Sequence, residues 1–195
     1  MKRLLDRSLA NNGNSRICLA FFFSARGADT GRSAYWMYRS LTHQLVWRSQ
    51  ECLQKLTTTL FDAKTRRFGK VNFDWNIMEL RKFFHSAITQ AGLEPIVIYV
   101  DALDECNDEN VRNIVAAFEH SAAVAIENGA DVNICWSSGH YPHIKVSKSL
   151  ELRMESQNAA DIALHVHNAL KDRNAKTSDF DLEGKIVRKA NGVFL

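Results

Sequence analysis

The stretch IVIYVDALDEC, residues 96–106, decides how this chain is read. Four of its first five residues are aliphatic, β-branched residues are among them, and Pro95 stands just before. Ile96 to Val100 therefore reads as a short strand buried on both faces. Asp101, Asp104 and Glu105 follow where such a strand leaves its sheet. A parallel strand with carboxylates at its C-terminal end is the arrangement that a nucleotide-bound metal requires.

Outward from this strand, strand-like and helix-like segments alternate, which predicts an α/β architecture with a mainly parallel sheet. RICLAFFFSA (16–25) reads as a strong apolar strand, and Ser33 as the cap of a helix carrying Tyr38, Leu41 and Leu45, flanked by Trp36 and Trp47. Asn76 and Glu79 form a capping-box pattern before Leu80, Phe83, Phe84, Ala87 and Ile88, with Gly92 as the stop. Beyond the central strand, Asp108 opens a helix with Val111, Ile114, Val115, Phe118 and Ala122 inward, and Gly129 closes it. DVNICWSS (131–138) is the next strand, and Leu150 to Met154 a shorter one. Ser156 is expected to cap a helix with Ile162, Val166 and Leu170 inward, and Phe180 to Leu195 begins another amphipathic segment. Thr57 to Val71 is expected to be the least structured stretch.

The 195 residues, 46% of them hydrophobic, allow one ordinary core or one domain with the beginning of another. Net charge is +3, basic and acidic residues are interspersed, and no Lys/Arg run is long enough to track a phosphate backbone, so no nucleic-acid partner is expected. Cys18, Cys52, Cys106 and Cys135 show no metal-ligand spacing, and Cys18 and Cys135 fall inside apolar runs, which fits reduced thiols in the cytoplasm. MKRLLDRSLA is too short and too charged for a signal peptide, and no apolar run approaches the roughly 18 residues of a membrane span. Met1 to Leu9 has the pattern of the later turns of an amphipathic helix. The strand and loop that normally feed such a helix are expected to be missing, and the apolar end at Val193, Phe194 and Leu195 reads as a truncated helical segment.

In order, these blocks resemble the NACHT-type NTPase domain of fungal NOD-like (STAND class) proteins, close to the group of nephrocystin-like N-terminal domains. IVIYVDALDEC is similar to the family's Walker B block, and ICWSSGHYPHI (134–144) to its sensor block, usually SSRHYPHI. AFFFSARG (20–27) with RSAYWMYRSLTHQLV (32–46) resembles the segment between Walker A and Walker B, and IVRKANGVFL (186–195) the ending that continues into further helix. Each block is a weak motif; four in register are specific.

The resemblance implies an incomplete P-loop NTPase three-layer sandwich over residues 1–155, with the start of a helical lid over 156–195. The family sheet order is 5-1-4-3-2. Strand 1, which leads into Walker A, is absent here, so strands 2, 3 and 4 are expected as one block, with the Leu150 segment beyond an empty lane. In intact relatives that bind ATP and Mg²⁺, Asp101 would hold the metal, mostly through water. Asp104 or Glu105 would orient or deprotonate the attacking water; the resemblance favours Glu105, and one sequence does not separate the two. Ser137, Ser138, Gly139, His140 and Pro142 make up the sensor region, and Gly139 stands where relatives usually carry an arginine.

No GxxxxGK(S/T) loop occurs in the sequence. ANNGNS (10–15) and SARGADTGRS (24–33) contain glycine but lack its ending, so the amides, lysine and hydroxyl that cradle a triphosphate are missing. Without them the acids would meet a triphosphate as like charges, and the expectation is no useful ATP affinity and no bound cofactor. Two roles stay open: a nucleotide-free regulatory or interaction domain with protein partners or self-association, and an ATP-binding, ATP-hydrolysing switch within a longer chain.

Simpler readings apply elsewhere. Asp101 to Glu105 also suits a strand end that opens the next helix, where acids favour the N-terminal dipole. His140 and His143 have Pro142 between them and no third ligand, which argues against zinc. His165 and His167, two apart on a helix, face different sides and read as surface residues. Cys106 stands beside acids, a setting that disfavours a thiolate nucleophile. Trp36, Trp47, Trp75 and Trp136 read as core or partner-facing aromatics, since no basic groove accompanies them.

Overall fold

The computed structural model of the chain describes residues 1–10, 16–26, 29–50, 54, 58, 76–90, 94–106, 111–139, 150–172 and 180–190. These fall into two compact units, Met1–Lys148 and Ser149–Leu195. Gly92, Asp108, His140, Pro142, His143, Trp75, Cys52 and almost all of Thr57 to Val71 lie outside the described residues, as do Val193 to Leu195.

The first unit is an open α/β layer structure on a parallel sheet. Its strands are β1 (Ile17–Phe22), β2 (Ile96–Asp101) and β3 (Val132–Trp136), in the order β1-β2-β3. Ile17 pairs with Ile96 and Ile96 with Val132, so the three strands start level. This is the block of three expected from the resemblance, an incomplete α/β sandwich. Alternation along the strands assigns Ile17, Leu19, Ile96, Ile98, Val100 and Val132 to one face, all in the main core. Cys18, Val97, Tyr99 and Cys135 take the other. The five β2 residues Ile96 to Val100 are buried, as a central strand covered on both sides must be.

Helix α1 (Lys2–Ala10) packs on β1, and Met1 touches Cys135, on the sheet face opposite the main core. Helices α2 (Ala34–Arg48), α3 (Ile77–Ile88) and α4 (Val111–Glu127) cover the main core. Ser33 caps α2 with its hydroxyl toward the Trp36 amide, and Met37, Tyr38, Leu41 and Leu45 are buried. The capping box at α3 forms: Asn76 Oδ1 accepts from the Met78 amide at 2.9 Å, while Glu79 Oε2 accepts from the Asn76 amide at 3.3 Å. Thr89 is the C-cap of α3.

Helix α4 ends as Gly129 predicts. That residue takes φ +75°, letting the Ala130 amide reach the Ala125 carbonyl at 2.8 Å and its own amide the Ile126 carbonyl at 3.1 Å. Ala122 is only half-buried, and Ser121 and Ala125 take the inward positions beside Phe118. The edge of β1 is covered by a side chain. Gln44 of α2 accepts from the Ala20 amide at 2.9 Å and donates to the Ala20 carbonyl at 2.8 Å, standing in for a neighbouring strand.

The second unit contains α5 (Met154–Gln157), α6 (Ala159–Asp172) and α7 (Phe180–Ala190), with α6 and α7 packed together. Leu150 to Arg153 is not the short strand expected: among the described residues it pairs with no strand, and Leu150 and Leu152 are exposed. A strand needs a ladder partner for its amides and carbonyls, and a four-residue apolar pattern does not create one. Ser156 likewise does not cap the long helix. It sits inside α5, and α6 starts beyond it, where the Asn158 carbonyl accepts from the Ile162 amide at 2.9 Å. Ile162 is buried; Val166 and Leu170 are half-buried. His165 and His167 are exposed, and His167 Nδ1 lies 3.3 Å from Glu183 Oε2.

Candidate functional site

The site expected from the sequence is the C-terminal end of β2. Asp101 is its last strand residue, and the Asp101 carbonyl accepts from the Phe23 amide at 3.0 Å, which ties the exit of β1 to it. Ala102 then adopts the left-handed conformation, φ 52° and ψ 49°. That conformation crowds a side chain against the following carbonyl, so a small residue here is understandable. It swings Leu103 into the core, where it is fully buried, and starts the one-turn 3₁₀ segment Leu103–Glu105. With Leu103 anchored, Asp104 and Glu105 are left at the surface rim.

Asp101 and Asp104 meet the segment leaving β3, and Glu105 meets the loop after β1. Asp101 Oδ1 accepts a hydrogen bond from the Ser137 hydroxyl, whose oxygen accepts in turn from the Ala102 amide at 3.0 Å. Asp104 Oδ1 accepts from the Gly139 amide at 2.7 Å. Glu105 Oε2 accepts from the Ala25 amide in the loop after β1. The Ser137 carbonyl also accepts from the Leu103 amide at 2.9 Å, and the Ser137 amide donates to the Val100 carbonyl at 2.9 Å. The acid turn is thus stitched to the segments leaving β1 and β3 on both sides.

Gly139 is needed for this closeness. A Cβ there would lie 2.8 Å from Asp104 Oδ2 and 3.2 Å from its Cγ, so any side chain has to push the carboxylate aside. The head of α1 also arrives at this end of the sheet: the Cys135 thiol donates to Met1 Sδ at 3.8 Å. Burial pushes the Cys135 thiol up, the Met1 ammonium draws it down and the Asp101 carboxylate raises it, so helix head and acid act on one group.

Of the sequence-predicted residues, Asp101, Asp104, Glu105, Ser137, Ser138 and Gly139 come together here. His140 and Pro142 lie outside the described residues. The hydroxyl of Ser138 donates to the Gly139 carbonyl at 3.2 Å. Two partners lie outside the expected set of roles: Ala25, whose contribution is a backbone amide, and Ser137 as the donor to Asp101. The SS pair after a β-strand was the available signal for the second; nothing in side-chain chemistry marks the first.

The geometry sets what the site can hold. A magnesium ion takes one or two carboxylates and keeps its waters, which Asp101 is able to supply. A triphosphate needs convergent N–H donors. The amides of Ala25 and Gly139 already face carboxylates, so neither of these two donors is turned toward a phosphate. Among the described residues no three His, Cys, Asp or Glu side chains are placed to share a metal ion.

A family model described as nephrocystin 3, N-terminal, matches residues 1–138, most of the chain and every element of the acid-tipped sheet. The chain belongs to that family. As a nephrocystin 3 N-terminal domain it carries the whole β1 to β3 block, with the acid turn and the Ser137 contact, inside the matched region. No curated protein and no solved structure matches the chain. Among the described residues no helix is long and apolar enough to cross a membrane.

Proposed function

We propose that this nephrocystin-like domain descends from a NACHT-type switch and acts as a cytoplasmic regulatory or interaction domain toward protein partners, without binding nucleotide itself. One observation carries the reading: Asp101, Asp104 and Glu105 each accept a hydrogen bond from the chain's own hydroxyl or amides. In a working NTPase such carboxylates face a hydrated metal and a water, and phosphate charge is met by amides and a lysine. Here the same acids hold the loops after β1 and β3 against the turn, a structural task.

A second reading has its own support. The head of α1 stands beside Cys135 within reach of Asp101's field, where a phosphate loop feeding that helix would bring a triphosphate to the acid. On that reading the chain is part of a longer ATP-binding switch. Isothermal titration with Mg-ATP separates the two. The first predicts no saturable heat at micromolar protein; saturable binding that is lost in Asp101→Asn overturns it in favour of the second.

A further inference from the structure

The helices over the main core hold a second polar group, built from other residues. His85 of α3 lies between two hydroxyls. Its Nε2 is 3.1 Å from the Tyr38 hydroxyl of α2, and its Nδ1 is 2.6 Å from Ser121 Oγ of α4. Phe118 meets the imidazole edge-on at 5.0 Å, and Ser121 is only 3% exposed, so packing from three helices fixes the group. Over it, α3 and α4 leave a cavity of about 520 Å³. Its walls include Met78 and Ala117, its rim Arg81, Lys82 and His120, and its floor His85 and Ser121. Glu79 also lines it, so the two cations Arg81 and Lys82 stand there against one carboxylate, which accepts from the Asn76 amide in the capping box.

We infer that this cavity binds a small organic anion with an apolar body, an aryl or short-alkyl carboxylate. The volume falls inside the range of small-molecule sites, roughly 300–1,000 Å³, and the mixture of apolar wall with a few fixed polar groups is what such sites present. Rim charge chooses the sign. Arg81 and Lys82 stand one residue apart on α3, and the guanidinium, which donates to the Asn113 carbonyl at 3.4 Å, has further N–H groups to offer a carboxylate. His85 reports the same field: burial first, then Arg81 and His120, hold its imidazole down to about 4. It therefore stays neutral near pH 7 and serves as floor, while the cations hold the anion. When the Tyr38 hydroxyl donates to Nε2, Nδ1–H donates to Ser121 Oγ, and the serine proton is left to turn toward the cavity. The inference does not rest on the acid turn or on any reading of nucleotide binding.

The probe is 4-phenylbutanoate, with uncharged 4-phenylbutanamide as its control, titrated into the full 195-residue chain and followed by amide chemical shifts. Expected is saturation at about millimolar concentration, as suits so small a ligand, with shifts concentrated at Met78, Arg81, Lys82, His120 and Ser121. Lys82→Glu, at an exposed position, and Arg81→Glu should each weaken binding by about tenfold, the worth of one charge-assisted contact. If Arg81→Glu does not fold, Lys82→Glu alone carries the test. Equal binding of the amide, shifts spread over the whole domain, or saturation by an acidic peptide but not by 4-phenylbutanoate would each overturn the inference.

Discussion

Asp104 and Gly139 show how one missing side chain organises the residue scale. With no Cβ at position 139, the Asp104 carboxylate lies against the backbone and takes its amide hydrogen bond. Gly139→Arg should displace Asp104, visible as a shift of its carboxyl carbon signal; an unmoved signal would contradict the arrangement. Ala102 offers a cleaner test. Its left-handed backbone penalises an L side chain by roughly 1 kcal/mol, so Ala102→Gly should leave stability unchanged or raise it by up to about 1 kcal/mol in urea unfolding, against the usual cost of glycine. Ser137→Ala acts the opposite way. It removes the donor to Asp101 and the acceptor for the Ala102 amide together, and a loss of about 1–2 kcal/mol is expected in the same assay.

At the scale of elements, side chains complete what neighbouring backbone does not. The Gln44 amide closes the β1 edge at Ala20, a position where an open strand invites another chain. Gln44→Leu leaves an amide and a carbonyl without these partners, and concentration-dependent association in analytical ultracentrifugation is the expected result. The α2–α3–α4 layer is joined by His85 in a comparable way. Its pKa, 6.5 when unfolded, falls to about 4 when folded, chiefly through burial. Folding therefore favours the neutral imidazole: the contribution is complete above pH 6.5 and is lost as pH falls from 6.5 through about 4. Melting temperature should drop across that window, and His85→Gln should flatten the drop. Capping was legible in sequence at this scale, since Ser33 and Asn76–Glu79 act within one turn. The Leu150 strand was misread because strand identity depends on a partner that local pattern does not supply.

For the whole molecule, hydrophobic periodicity determined most of the architecture. Apolar runs at 17–22, 96–101 and 132–136 with amphipathic helices between them admit little besides a parallel sheet under helices. The sequence also determined that three acids stand at the exit of the central strand. Only the tertiary structure decided what those acids do. Hydrogen bonds from Ala25 and Gly139 come from backbone amides 80 and 35 residues away in sequence, groups that every residue but proline carries and that no residue type announces. The same holds for Ser121, His85 and Tyr38, ordinary members of three helical stripes until packing sets two hydroxyls against one imidazole. Local pattern is written in spacing along the chain, whereas the partner of a polar group is fixed by which elements the core brings together.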